Sequence, residues 1–179
     1  MKKLFLLCLL CLVFIPVQSQ SYLGWVTSTV NLREGPDTSY KVITSLNEGS
    51  QIFISSLVEN NGFVSVIDIA SNTEGYVSKN FVKVGQEIEM SSDGILQNMG
   101  QTSSYQPEIE IYNNTKVALT LKMNDKKYSF YSKERRKFNL PPGSYKYTAS
   151  APGVIPDIGS EQLENNNGYR WEFILSPKN

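Results

Sequence analysis

Along residues 22–85, short apolar or alternating runs are separated by turn-forming residues. The runs are 25–32, 40–46, 51–58, 63–69, and 76–77 with 81–84. Between them lie Gly35-Pro36-Asp37, Asn47-Glu48-Gly49, Asn60-Asn61-Gly62 and the polar stretch 71–75. Asn61-Gly62 between two apolar runs signals a hairpin, because both residues tolerate positive φ. No run follows the helical period of 3.6. Five short strands in so short a stretch leave costly sheet edges unless the sheet curls on itself, so a small closed barrel is expected.

Residues 86–107 lose this pattern. They are rich in Ser, Gln and Gly, and Ile88, Met90, Ile95 and Leu96 keep no sustained period, which reads as a linker with room for one extra strand or turn. Strict alternation returns at 108–112, 117–123 and 128–130, with Asn124-Asp125 as a turn. Phe138-Asn139-Leu140 leads into Pro141-Pro142-Gly143, where the proline presets φ and the glycine lets the chain reverse. Runs at 144–150 and 169–175 complete six expected strands, each with one apolar face. That pattern predicts an antiparallel β-sandwich, and the chain as a whole reads as all-β.

The amino-terminal segment is of another kind. Lys2 and Lys3 precede the apolar run 4–15, and small residues near Val17 and Ser19 follow, the arrangement of a secretory signal peptide cut before Gln20. The apolar run is too short for a bilayer-spanning helix, which needs about twenty residues. Cys8 and Cys11 therefore read as small hydrophobes of the signal, not as a redox or metal pair. A mature chain beginning at Gln20 has no cysteine, hence no disulfide, thiol nucleophile or zinc–thiolate site. The expected location is a bacterial periplasm, cell surface or exterior. No integral membrane span is expected after cleavage.

Charge and composition then narrow the function. The chain has 17 basic and 17 acidic residues, which argues against a nucleic-acid partner. It has 0 histidines, which removes Ser-His-Asp and Cys-His catalysis and histidine-ligated metals. No metal or cofactor is implied. The charge is uneven: residues 20–86 carry 4 basic and 6 acidic side chains, 87–107 carry 3 acids, and 108–179 carry 11 basic and 8 acidic. The expected organisation is a signal peptide at 1–19, a barrel at 20–86, a linker at 87–107 and a sandwich at 108–179.

Four segments of the first module resemble the bacterial SH3 domain family. Asn31-Leu32-Arg33-Glu34-Gly35-Pro36 is similar to the family's opening motif, and Tyr40-Lys41-Val42-Ile43 with Leu46-Asn47-Glu48-Gly49 to its next segment. Asn61-Gly62-Phe63 and Gly75-Tyr76-Val77 stand where the family has N-G-W and G-W-V. Phe63 and Tyr76 keep aromatic bulk but lose the indole N–H of the usual tryptophans. The resemblance implies an SH3-like barrel acting as a non-catalytic binding module for cell-wall peptides or polymers. Relatives often accompany cell-wall cysteine peptidases or amidases, whose Cys-His or zinc-His chemistry this chain lacks.

The candidate ligand-binding residues on this basis are Asn31, Arg33, Tyr40, Phe63 and Tyr76, around a shallow aromatic groove beside the 33–37 loop. Two keep a plainer alternative. Tyr76 precedes Val77 in a strand and could be core, and Arg33 could pair with Glu34 or Asp37 or satisfy loop carbonyls. Leu23 and Trp25 alternate onto one face and are expected to pack under the barrel.

In the second module, the Leu140-Pro-Pro-Gly-Ser-Tyr145 turn is similar to turns in transthyretin-like secreted β-sandwich accessory domains. Ten aromatics in 108–179 could form a glycan-stacking strip or fill the core; six strands with one buried face each favour the core. The charge run 133–137 could meet anionic polymers, but is more simply a solvated turn. Asn113-Asn114-Thr115 fits an N-glycosylation acceptor, or merely a turn. The stretch 151–168 reads as a long loop. An enzyme would have to rely on carboxylates such as Glu108, Glu110, Glu161, Glu164 or Glu172, and no pair stands in a catalytic context. The leading function is a non-catalytic secreted or periplasmic protein binding cell-wall peptide or polymer. The alternative is an adaptor or structural component that contacts another envelope protein through the sandwich.

Overall fold

The strand-forming runs of the first module fold near the expected places, but as seven strands instead of five. The computed structural model describes residues 20–175; the expected targeting segment, with Cys8 and Cys11, lies outside the described residues. The strands are β1 (Ser21–Val26), β2 (Val30–Arg33), β3 (Val42–Leu46), β4 (Gln51–Ile54), β5 (Phe63–Asp68), β6 (Thr73–Ser78) and β7 (Val82–Ile88). The run 25–32 breaks at Thr27-Ser28, and a 3-10 turn at Lys79–Phe81 separates β6 from β7. Both breaks let the chain change neighbours. β1 pairs with β4 and β7, whereas β2 pairs with β3 and β6.

All neighbours in this sheet are antiparallel, in the order β3-β2-β6-β5-β4-β1-β7. One core joins Val26, Leu32, Leu46, Ile52, Val64 and Val77, drawn from six of the strands. A sheet can bring such distant strands to one core only by curling round it, which makes an SH3-like barrel. The Asn61-Gly62 signal is a tight turn: both have positive φ, and Asn60 and Phe63 exchange backbone hydrogen bonds of 2.9 Å each.

The second module is a sandwich of eight strands: β8 (Gln97–Gln101), β9 (Glu108–Asn113), β10 (Leu119–Met123), β11 (Lys126–Phe130), β12 (Arg135–Asn139), β13 (Gly143–Ser150), β14 (Asp157–Leu163) and β15 (Asn167–Phe173). One sheet has the order β11-β10-β13-β14 and the other β12-β9-β15-β8. Pairing is antiparallel except between β9 and β15, which run parallel. Ile109, Ile111, Leu119, Leu121 and Phe130 fill the space between the sheets, with Tyr147 and Tyr169 among them. Tyr128 stacks on Phe138 at 4.7 Å, and Trp171 and Phe173 also pack on this core. The aromatic residues are therefore chiefly core; Tyr131 is an exposed exception.

Two expectations are corrected here, and one open reading is closed. The charge run is no solvated turn: of its residues only Lys133 lies in a turn, with Ser132, and Arg135–Asn139 is strand β12. The stretch 151–168 is no single loop, because Asp157–Leu163 pairs along β13 as β14. Gly159 is required there, since a Cβ would stand 2.5 Å from the Tyr147 hydroxyl. Asn113, which the sequence offered as a turn residue, closes β9 just before the bend at 115–117. It is fully buried, its Nδ2 donates to the carbonyls of Val117, Phe130 and Tyr131, and its Oδ1 accepts from the amide and hydroxyl of Thr115.

The two modules touch. Leu23, Phe53 and Ile67 form a row across β1, β4 and β5 on the barrel's outer face, and Ile158 of the sandwich packs on this patch with Ile69. Trp25 shares the face of Leu23, as alternation predicts. Asn72 Nδ2 donates to Thr120 Oγ1 (3.2 Å) and to the Ser150 carbonyl (3.4 Å), and the Gly153 amide donates to the Ile69 carbonyl (2.7 Å). Glu74 lies 3.2 Å from Lys122 and 3.7 Å from Lys127. The stretch between modules is pinned too: the Ser91 amide donates to Ile158, and the amides of Ile95 and Leu96 donate to the Glu161 carboxylate.

Candidate functional site

Alternation decides which barrel side chains can meet a ligand. In β2, Leu32 enters the core, so Asn31 and Arg33 point outward. In β6, Val77 enters the core and Tyr76 points out; in β5, Val64 and Val66 go in and Phe63 and Ser65 out. The register sets Arg33 opposite Tyr76 and Tyr76 opposite Ser65, making one outward row across β2, β6 and β5. Asn31 stands opposite Ser45 and accepts its hydroxyl at 2.8 Å. Phe63 is one diagonal step from Tyr76 on the same face.

The loop from Glu34 to Lys41 is organised from inside. Arg33 Nη1 donates to the carbonyls of Thr38 (2.9 Å) and Tyr40 (2.8 Å). Asp37 Oδ1 accepts the Ser39 amide at 2.8 Å, and hydrogen bonds from the Ser39 amide and hydroxyl hold the Asp37 carboxyl below its usual range. Tyr40 folds over Gly35, where a Cβ would lie 2.5 Å from the ring, so only glycine fits beneath it. The loop thus presents the Tyr40 ring, 48% exposed, at a fixed place.

The five sequence-derived residues are brought to one side of the barrel but not into one open groove. Tyr40 and Asn31 are exposed, and Arg33 and Tyr76 are half-buried. Phe63 is only 9% exposed, so its ring face is covered. Arg33 spends one guanidinium nitrogen on the loop carbonyls, as its structural alternative foresaw. Beside Tyr40, sequence reasoning missed Val42 and Ile43, both well exposed on β3, the outermost strand of the sheet. Their β-branched side chains look like core residues in sequence; only topology puts them at an edge.

Neither of the two buried glutamates, Glu110 and Glu161, is set as a general acid. Burial pushes the Glu110 pKa up, but Lys137, Arg135 and Arg170 outweigh it and hold the carboxyl below its usual range. A glycosidase's general acid needs the opposite shift. Glu161 is committed to the amides of Ile95 and Leu96.

A curled seven-stranded antiparallel barrel with an ordered loop after β2 has the architecture of SH3-like barrels. In agreement, residues 28–83 match the family model of the bacterial SH3 domain. No curated protein matches the chain. Bacterial SH3 domains are generally non-catalytic modules of cell-wall-associated or extracellular proteins. The sandwich lies outside the matched residues.

Proposed function

We propose that the protein is a non-catalytic, secreted or periplasmic binding protein whose barrel holds cell-wall peptide or polymer against the face of Tyr40, Asn31, Arg33 and Tyr76. The observation that carries this reading is the match of residues 28–83 to the bacterial SH3 domain, with an exposed Tyr40 held over Gly35 at the end of that domain's ordered loop. An aromatic ring already fixed in place loses little rotamer freedom when a ligand stacks on it. The module carries 4 basic and 6 acidic residues, so its contacts rest on flat apolar faces and hydrogen bonds more than on attraction to anions.

Sedimentation with purified peptidoglycan tests this. The full chain should pellet with the polymer, and Tyr40→Ala should weaken binding by about 1 kcal/mol or more, the scale of a hot-spot side chain. Circular dichroism should show the variant folded. A wild-type chain left in the supernatant, or a folded Tyr40→Ala that binds as well as wild type, would overturn the assignment. The second outcome would move the site off the loop; the first would favour a protein partner in the envelope.

A further inference from the structure

Cleavage of the expected targeting segment makes Gln20 the first residue of the mature chain. Gln20 lies exposed just ahead of β1, and the fold takes hold at the very next residue. Ser21 pairs with Ile88 of β7 and is 6% exposed, and its hydroxyl donates to the Ser55 carbonyl at 3.2 Å. A single residue therefore separates the new terminus from a strand that pairs on both sides, with β4 and with β7. The Gln20 side chain is already held: its Oε1 accepts the Tyr22 hydroxyl at 2.8 Å.

An α-amine and a carboxamide on one glutamine reach each other through a small ring, which makes their reaction intramolecular. The ordinary pKa of an α-amine is about 7.7–8.0, so a nucleophilic fraction exists near neutral pH. The amine nitrogen adds to Cδ, and negative charge gathers on Oε1, where the Tyr22 hydroxyl donates. The bond from Cδ to Nε2 then breaks, one amine proton passes to the leaving nitrogen, and ammonia departs. Glu87 and Glu89 line the same hollow as Gln20 and are rival partners, because an ammonium paired with them stays protonated. Both are exposed, where ion pairs are weak and reversible, whereas ammonia lost to solvent does not return.

We propose that Gln20 of the mature chain is a modification site that closes to pyroglutamate and seals the start of β1 against aminopeptidases. The proposal rests on the secreted reading above. The lactam removes the terminal charge and the free amine that an aminopeptidase must bind. Without it, trimming has only Gln20 to remove before it reaches Ser21. With Ser21 go the Ser55 contact and the first pair of β1 with β7. Tyr22 holds the carboxamide oxygen from within β1, so the same strand that the lactam protects orients the group that forms it.

Intact-mass spectrometry of the full chain, secreted by a bacterial host through its own amino-terminal segment and kept near neutral pH, tests the proposal. The expected mass is one ammonia below that of a chain beginning at Gln20, with a terminus that resists stepwise degradation until pyroglutamyl peptidase opens it. A chain beginning at Gln20 with a free amine would leave the secreted reading standing and overturn the proposal. A chain that keeps its amino-terminal segment, or begins at another residue, would overturn the cleavage reading and the site with it. In a chain released by a protease so that Gln20 comes first, Tyr22→Phe should slow the loss of ammonia roughly twofold or more, and equal rates would overturn the part given to Tyr22. Against a broad aminopeptidase the cyclised chain should stay whole while Gln20→Ala, altered only outside the strand, is trimmed into β1. Equal resistance of the two would overturn the protective role.

Discussion

At the scale of single residues, the strongest local commitments are polar groups inside the sandwich. Asn113 satisfies the carbonyls of Val117, Phe130 and Tyr131 and holds the Thr115 turn with its own oxygen. Asn113→Ala would leave the buried Phe130 carbonyl without this donor and the Thr115 turn without its acceptor, a loss of about 1–3 kcal/mol. A loss of about 1–3 kcal/mol in urea denaturation is expected, and a change under about 0.5 kcal/mol would refute the role. Glu110 gives a pH-dependent counterpart. Its folded pKa lies below the ordinary 4.5, so its contribution is present above that pH and is lost as pH falls through the folded value. Glu110→Gln should therefore flatten the acid limb of the stability–pH curve, which equilibrium denaturation at stepped pH would read. In sequence, Asn113 reads as a turn residue and Glu110 as a surface acid. Besides the local Thr115 and Val117, their partners include Phe130, 17 residues from Asn113, and Arg170, 60 residues from Glu110, distances at which sequence pattern is silent.

At the scale of elements, alternation was readable wherever one strand face is buried and the other wet. The segments 108–112 and 117–123 are such cases and appear as β9 and β10. Strand β8, Gln97-Asn-Met-Gly-Gln101, is exposed along its whole length at a sheet edge and carries no alternation to read. Strand β12 was masked by charge, because Arg and Lys stems can lie along a sheet face while the heads stay in water. The tight turn was legible from two residues. Gly62 has φ of 75° with open space where a Cβ would go, so the cost of a side chain is conformational alone. Gly62→Ala should destabilise the barrel by roughly 1–2 kcal/mol, and Gly62→Asn by less. Chemical denaturation of both variants gives that ranking or contradicts it. Of the candidate site, the aromatic loop was legible through its motif; the covering of Phe63 and the exposure of Val42 and Ile43 were not, because both depend on where a strand falls in the sheet order.

At the scale of the molecule, β4 shows why sequence could not announce the junction. Ile52 and Ile54 face the barrel core while Phe53 faces the sandwich, so both sides of the strand are buried and the run looks uniformly apolar. Ile158 closes the patch over Phe53 from the other module. Ile158→Asp would put a charge against that patch and should uncouple the halves. Scanning calorimetry is expected to show one joint transition in the wild type and two separated ones in the variant; two transitions in both would mean that the junction adds no cooperativity.

Glu161, gripping the amides of Ile95 and Leu96, has a consequence for how the protein could hold a long polymer. A chain joined by a loose tether can let its two halves search for separate attachment points, and the tether's length sets the gain from holding both. Here the crossing segment is clamped, so the distance between the Tyr40 loop and any point on the sandwich is set by the fold. Were the sandwich to offer a second contact, simultaneous grip would depend on whether the spacing of features along the polymer matches that distance. A polymer with the matching repeat would then gain avidity from two weak contacts, and one with a different repeat would be held by a single contact at a time.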